Sequence, residues 1–520
     1  MANPAAEIPF KLLQLPNELR NSIYSYLDNA DVKRLRATCS AMSQDVPLRI
    51  TRVFLSANSS NINVFMAIGN HETLRHGVTE LVWDDARLST GPEFEVERKS
   101  YEAEGWHQDD PVTNNGCPRW FERDCEEDYC YYRGRKMVPP GGIIPLRESW
   151  AYYERLLDSQ ESNIDNNIDI EAFMVGLKCF PSLKRVTITP STHGTDFNPL
   201  YETPMIRDFP VGFKFPRPKA WPAGSISGPA YVLPWIEQDG VPNRCEEIYG
   251  YGVAEYRKRW RGYRAATRFL ALDQDHHVTE LVVGGNEVRT GINCHIFDQP
   301  SAAYNDLVNL LQRPGFSYLS LDLLTGSLYT ETWSYYKSGL LHDALAKAKD
   351  LKHICLRTTT DPYSDAPYHY VVEDLQKVDF PLSTIFPIDQ WPQLEHFGVS
   401  GFIVDLDDLI SLLVSLPPSL RSVELSHLSF TRKGDSYENL LVQMRDSLDW
   451  RSRPEQQRPK VHVIATAYDL DDGYVEVDDA VYSFLYQGGE SPFEGNGSLI
   501  HEGRGGIRRD IFDPEFMAPY

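Results

Sequence analysis

One spacing recurs along most of this chain and limits what it can fold into: an apolar residue, a second three positions on, and a third two beyond that. It occurs at Val78/Leu81/Trp83, Leu183/Val186/Ile188, Val278/Leu281/Val283, Phe316/Leu319/Leu321, Leu351/Ile354/Leu356, Leu394/Phe397/Val399 and Leu420/Val423/Leu425. Residues two apart share one face of an extended chain, so each triplet predicts a short strand with one buried face. Most triplets follow an apolar helical stretch: Val64 to Ile68, Ala172 to Phe180, Ala265 to Leu272, Leu307 to Leu311, Leu340 to Ala348 and Leu406 to Leu416. A helix-then-strand unit repeated in one direction stacks into a parallel sheet backed by helices, because neither face of a single unit can be buried alone. The expected fold class is therefore α/β.

This pattern resembles leucine-rich repeats in a loose form, and implies an irregular solenoid across residues 51–470. Every interval between triplets except the last, 26 residues, exceeds the repeat length of roughly 20 to 29 residues. The asparagine that such repeats carry after the last apolar site occurs once, as Asn286. An ordinary α/β domain whose strands share an apolar triplet is the alternative.

The first fifty residues read differently. Leu15-Pro16-Asn17-Glu18-Leu19 opens with a proline suited to a first helical position, and Leu19, Ile23 and Leu27 follow at spacings of four. Asp31 can cap a second helix, on which Leu35 and Cys39 lie one turn apart. Pro47 interrupts a third. The ordered set of Leu15, Pro16, Glu18, Ile23, Leu27, Asp31, Leu35 and Cys39 resembles the F-box, over residues 10–50. The stretch from Val53 to about Leu88 is similar to the segment after that module in many fungal F-box proteins. The resemblance implies a small helical module that docks on the Skp-type adaptor of a cullin-RING (SCF-type) ubiquitin ligase. Leu15, Pro16, Leu19, Ile23, Leu27 and Leu35 would supply the adaptor-facing or module-stabilising surface, with the downstream domain holding a target protein. The same apolar stripe also suits a helical hairpin that merely caps a non-catalytic solenoid scaffold.

Two long inserts break the repeat, near residues 84–160 and 190–255. The segment from Asp84 to Cys130 holds 14 acidic and 5 basic residues, interleaved with Trp106, Trp120, Phe121 and Tyr129. Those aromatics are candidate target-binding residues, and the charge favours a basic partner. The bland reading is that they pack over the solenoid. The second insert is rich in proline and aromatic residues, and residues 471–520 read as an acidic, glycine-rich tail, partly disordered.

A net charge of −23 disfavours nucleic-acid binding and anionic membranes. Met1 to Phe10 shows no basic run followed by an apolar stretch, and nowhere do 18 apolar residues run uninterrupted; the expectation is cytosol or nucleus. Eight cysteines without regular pairing read as thiols. Cys117, Cys125 and Cys130 with His107 lack a close Cys-x-x-Cys pair, and His71 and His76 are five apart on a helix, so neither set has metal-site spacing. The basic run Arg257, Lys258, Arg259, Arg261, Arg264 and Arg268 reads as a solvated helix face opposite Tyr256, Trp260, Tyr263, Thr267 and Leu270. No catalytic constellation, cofactor or metal is expected from the sequence.

Overall fold

The computed structural model describes residues 12–27, 29–91, 116–131, 142–194, 199–218, 221–222, 234–235, 256–284, 290–325, 333–360, 380–432, 434–466, 474–494 and 506–507. Each of the seven triplets becomes a strand, and two more strands flank them. In chain order the first twelve strands are β1 (Arg52–Leu55), β2 (Glu80–Asp84), β3 (Arg185–Thr189), β4 (Glu280–Val283), β5 (Ile292–Asn293), β6 (Tyr318–Leu324), β7 (His353–Thr358), β8 (His396–Ser400), β9 (Ile403–Val404), β10 (Ser422–Ser426), β11 (Ser429–Phe430) and β12 (Lys460–His462). The main sheet has ten strands in the order β1-β2-β3-β4-β6-β7-β8-β10-β12, with β5 added beside β6, and all its pairings are parallel. The chain is thus a mixed α/β protein whose strands are laid down in sequence order.

The register explains the spacing. Val53, Leu81, Val186, Leu281, Leu319, Ile354, Phe397, Val423 and Val461 pair one after another into a single row across the sheet. Leu55, Trp83, Ile188, Val283, Leu321, Leu356, Val399 and Leu425 form the next. All of these side chains are buried. The first member of each triplet lies two residues before its strand and is also buried, in the turn that leads out of the preceding helix. Against this face pack helices Ser59–Gly69, Ile168–Cys179, Arg261–Leu272, Ala302–Leu311, Leu340–Leu345, Leu406–Ser415 and Tyr437–Ser447. Trp260, Tyr263, Thr267 and Leu270 are fully buried and Tyr256 nearly so, which places the apolar side of the basic run in the core.

Three expectations need correction. Helix α1 runs Asn17–Ser25, and Pro16 stands before it with ψ of 148°, an extended value, so helical geometry begins one residue later than the sequence implied. Helix α2 runs Asn29–Thr38, so Asp31 sits within its first turn, paired at 2.9 Å with Arg34, rather than capping it. Cys39 lies beyond the end of α2 and instead caps helix α3, Ser40–Asp45, its sulfur accepting from the Met42 amide at 3.5 Å; α3 stops before Pro47, as the sequence implied.

The inserts and the tail depart further. Arg119–Tyr131 and Leu146–Asp165 are helices, and they gather Leu88, Cys117, Phe121, Cys125, Tyr153, Leu157 and, from the second insert, Phe213 into one satellite core. Two segments read as separate loops share one apolar cluster, since neither has enough apolar surface to bury alone. Much of the supposed tail is core: Val477, Val481, Phe484, Leu485, Tyr486 and Phe493 all join the main cluster. They cover the end of the sheet, where β12 would otherwise leave apolar surface exposed. Asn286 lies outside the described residues.

Candidate functional site

Residues between the buried rows point to the other face of the sheet. Arg52, Glu80, Arg185, Glu280, Tyr318, His353, His396, Ser422 and Lys460 pair successively into one row there. Its first half is ionic: Arg52 Nε lies 2.7 Å from Glu80 Oε2, and Arg185 Nε 2.7 Å from Glu280 Oε2. Its second half is a stack. The Arg185 guanidinium sits 4.4 Å from the Tyr318 ring centre, Tyr318 and His353 stack at 3.8 Å, and His353 and His396 stack at 4.0 Å. Parallel pairing sets these residues side by side at about 4.8 Å, and the rings lean together into face-to-face contact.

The surroundings of the stack favour the neutral form of both imidazoles. Burial, reinforced by the charges of His396, Arg357 and Arg185, pushes His353 down to about 2. Burial likewise brings His396 down to about 4, partly opposed by Glu424. His396 Nδ1 is held by Ser422 Oγ at 2.7 Å. A shallow cavity of about 320 Å³ opens over Tyr318, His353, His396 and Ser422, with Glu280 and Lys352 at its rim.

The next row brings Cys355, Gly398 and Glu424 side by side on β7, β8 and β10. Cys355 Sγ lies 3.7 Å from Glu424 Oε2, and burial pushes the thiol well above its usual range. Arg357 Nη2 contacts Glu424 Oε2 at 3.1 Å, Arg357 Nη1 bonds Ser320 Oγ at 3.1 Å and lies 3.7 Å from Asp322. This face therefore offers a stacking platform with a polar, charge-paired patch beside it.

The N-terminal module has its own core of Tyr24, Val32 and Val46, with Leu12, Leu27, Leu35 and Met42 packed against it. Asp45 ties the first and third helices together, accepting from Tyr24 Oη at 2.6 Å and pairing with Arg20 at 2.8 Å. Burial and the neighbouring Asp45 carboxylate push the Tyr24 phenol up to about 12. Leu27 and Leu35 thus serve the module's interior, and Leu15 is half-buried. Leu19 and Ile23 face solvent at 53% and 36% exposure, beside Tyr26 at 88%, and Pro16 is exposed too.

Of the candidate target-binding residues, Phe121 is fully buried and Trp120 packs on the same satellite cluster, edge-on to Trp150 at 5.7 Å. Phe121 is therefore a core side chain and not a surface contact. Trp106 and the side chain of Tyr129 lie outside the described residues, as do His107 and the side chain of Cys130. Cys117 and Cys125 are buried in the satellite core. Sequence reasoning missed the Tyr318-His353-His396 stack because these residues come from three repeats of unequal length. It also passed over β1, although Ile50/Val53/Leu55 has the same three-then-two spacing.

No protein-family model matches the chain, and neither does any curated protein. No helix among the described residues is long and apolar enough to cross a membrane.

Proposed function

We propose that this chain is the substrate-recognition subunit of a cullin-RING, SCF-type ubiquitin ligase, docking on a Skp-type adaptor through residues 10–50 and holding a target with the domain that comes after them. The observation that carries this reading is the apolar surface of α1. Leu19, Ile23 and Tyr26 are left to solvent while the module's own core lies elsewhere and shares no residue with the core of the sheet. A module that capped the sheet would bury that stripe against the first strands, so the separation favours docking over the scaffold reading.

The sheet reads as an irregular leucine-rich-repeat-like solenoid: helix and strand alternate, strands add in chain order, and the open face carries polar and aromatic side chains. Such a face suits a polypeptide target, with the ring stack as its apolar floor. The acidic segment from Asp84 to Cys130 would steer a basic target towards it. The subunit then acts by raising the effective concentration of target beside a charged conjugating enzyme, in cytosol or nucleus.

The test is binding of purified Skp-type adaptor to wild type and to a Leu19→Asp/Ile23→Asp variant. Covering the exposed part of these two side chains is worth about 1 kcal/mol each, and seating two carboxylates against an apolar partner adds to the loss. Affinity should fall at least about a hundredfold, with thermal stability unchanged because both side chains are solvent-facing. Equal affinity for the two proteins overturns the proposal.

A further inference from the structure

Three ligand-type side chains from three strands converge on the open face. Cys355 Sγ, a ring nitrogen of His396 and a carboxylate oxygen of Glu424 all lie within 4.8 Å of one another. We propose that Cys355, His396 and Glu424 form a three-ligand zinc site, its fourth position left for water or another exogenous ligand.

Three features beyond the cluster itself support this. The position between Cys355 and Glu424 in the row is Gly398, and a Cβ there would stand 2.8 Å from Cys355 Sγ and 3.1 Å from His396 Nε2. Glycine thus keeps clear the space onto which sulfur and imidazole nitrogen converge. The ligands are also oriented from behind. Ser422 engages His396 Nδ1 at 2.7 Å, leaving Nε2 for a metal, and Arg357 grips Glu424, itself paired with Asp322. Metal-binding histidines and carboxylates are held by such outer partners. Finally, the charges balance: a thiolate and a carboxylate offset a divalent ion, and Asp322 offsets Arg357.

The donor set selects the ion. One sulfur, one imidazole and one carboxylate suit zinc, which binds them at roughly 2.3, 2.0 and 2.0 Å, whereas calcium and magnesium want oxygen alone. Three protein ligands and an open fourth position are the pattern of a zinc ion that still accepts an exogenous ligand. Glu424 would release part of its grip on Arg357 as the three donors draw in by about 1 Å, a side-chain adjustment. The site lies in the sheet domain and stands independently of the adaptor reading.

The experiment is titration of the full-length, metal-stripped protein with Co(II), followed by displacement with Zn(II). The expected result is one equivalent bound, intense visible bands of tetrahedral cobalt and a near-ultraviolet thiolate charge-transfer band, all bleached by zinc. Cys355→Ser should abolish the charge-transfer band, while Cys39→Ser, at an exposed cysteine, should retain it. Ser422→Ala, which frees the imidazole without touching a ligand, should weaken affinity about ten- to a hundredfold. Far-ultraviolet circular dichroism confirms that each variant is folded. Failure of folded wild type to take up cobalt or zinc, or a charge-transfer band that survives Cys355→Ser, overturns the proposal.

Discussion

Replacing Asp85 with alanine should destabilise the protein by about 3 kcal/mol, and the structure shows how. Asp85 follows β2 and is 5% exposed. Its carboxylate accepts from Trp221 Nε1 at 2.8 Å and from the Gly262 amide at 3.0 and 3.1 Å. It therefore joins a strand end, the second insert and the helix Arg261–Leu272. Gly262 permits this approach because a Cβ there would come within 2.6 Å of Asp85 Oδ1. Removing the carboxylate strands two buried N–H groups, at about 1–3 kcal/mol each. Part of that returns because burial raises the Asp85 pKa against the pull of Arg87, a sign that the charge was costly to desolvate. Trp221→Phe removes one of the two donors and should cost about 1–2 kcal/mol. The two changes share one hydrogen bond, so the double variant should fall short of additivity by at least about 0.5 kcal/mol. Urea denaturation followed by circular dichroism measures the three variants, and hydrogen exchange at Gly262 should accelerate in Asp85→Ala. A loss below about 1 kcal/mol, or strict additivity, would refute the idea that Asp85 pins these elements together.

Two other expectations concern the sheet. Burial raises the Asp84 pKa to about 7; the folded state then holds a proton that the unfolded chain gives up near pH 4, so this group's contribution to stability is lost as pH rises to 7. Asp84→Asn should accordingly gain on wild type in melting temperature between pH 5 and pH 8, and a pH-independent difference would show the carboxylate to be solvated. Phe397→Ala, in the middle of the continuous apolar row, should cost about 3–5 kcal/mol; a cost under about 1 kcal/mol would mean that the row is not close-packed.

Much of the architecture was legible because its signal is local. Leu81 and Trp83, or Val423 and Leu425, announce a strand with one buried face within six residues, and each helix before them carries its own stripe. The module was legible for the same reason, since Leu19 and Ile23 lie one turn apart. The tail was misread because acidic and glycine residues outweigh Val481, Phe484 and Leu485 in a composition count, although those three side chains finish the core. The aromatics of the first insert look like surface contacts because charge surrounds them in sequence. Phe121 is surrounded in space by Trp120, Trp150 and Tyr153 instead.

What the sequence determined by itself was the unit: a short strand preceded by a helix, repeated, with a separate helical module ahead of it. What only the tertiary structure decided was register. Tyr318, His353 and His396 stack, and Cys355, His396 and Glu424 meet across Gly398, because parallel strands align at about 4.8 Å regardless of how much chain lies between them. Insert length varies freely at low entropic cost, so the spacing along the chain carries no trace of the spacing across the sheet.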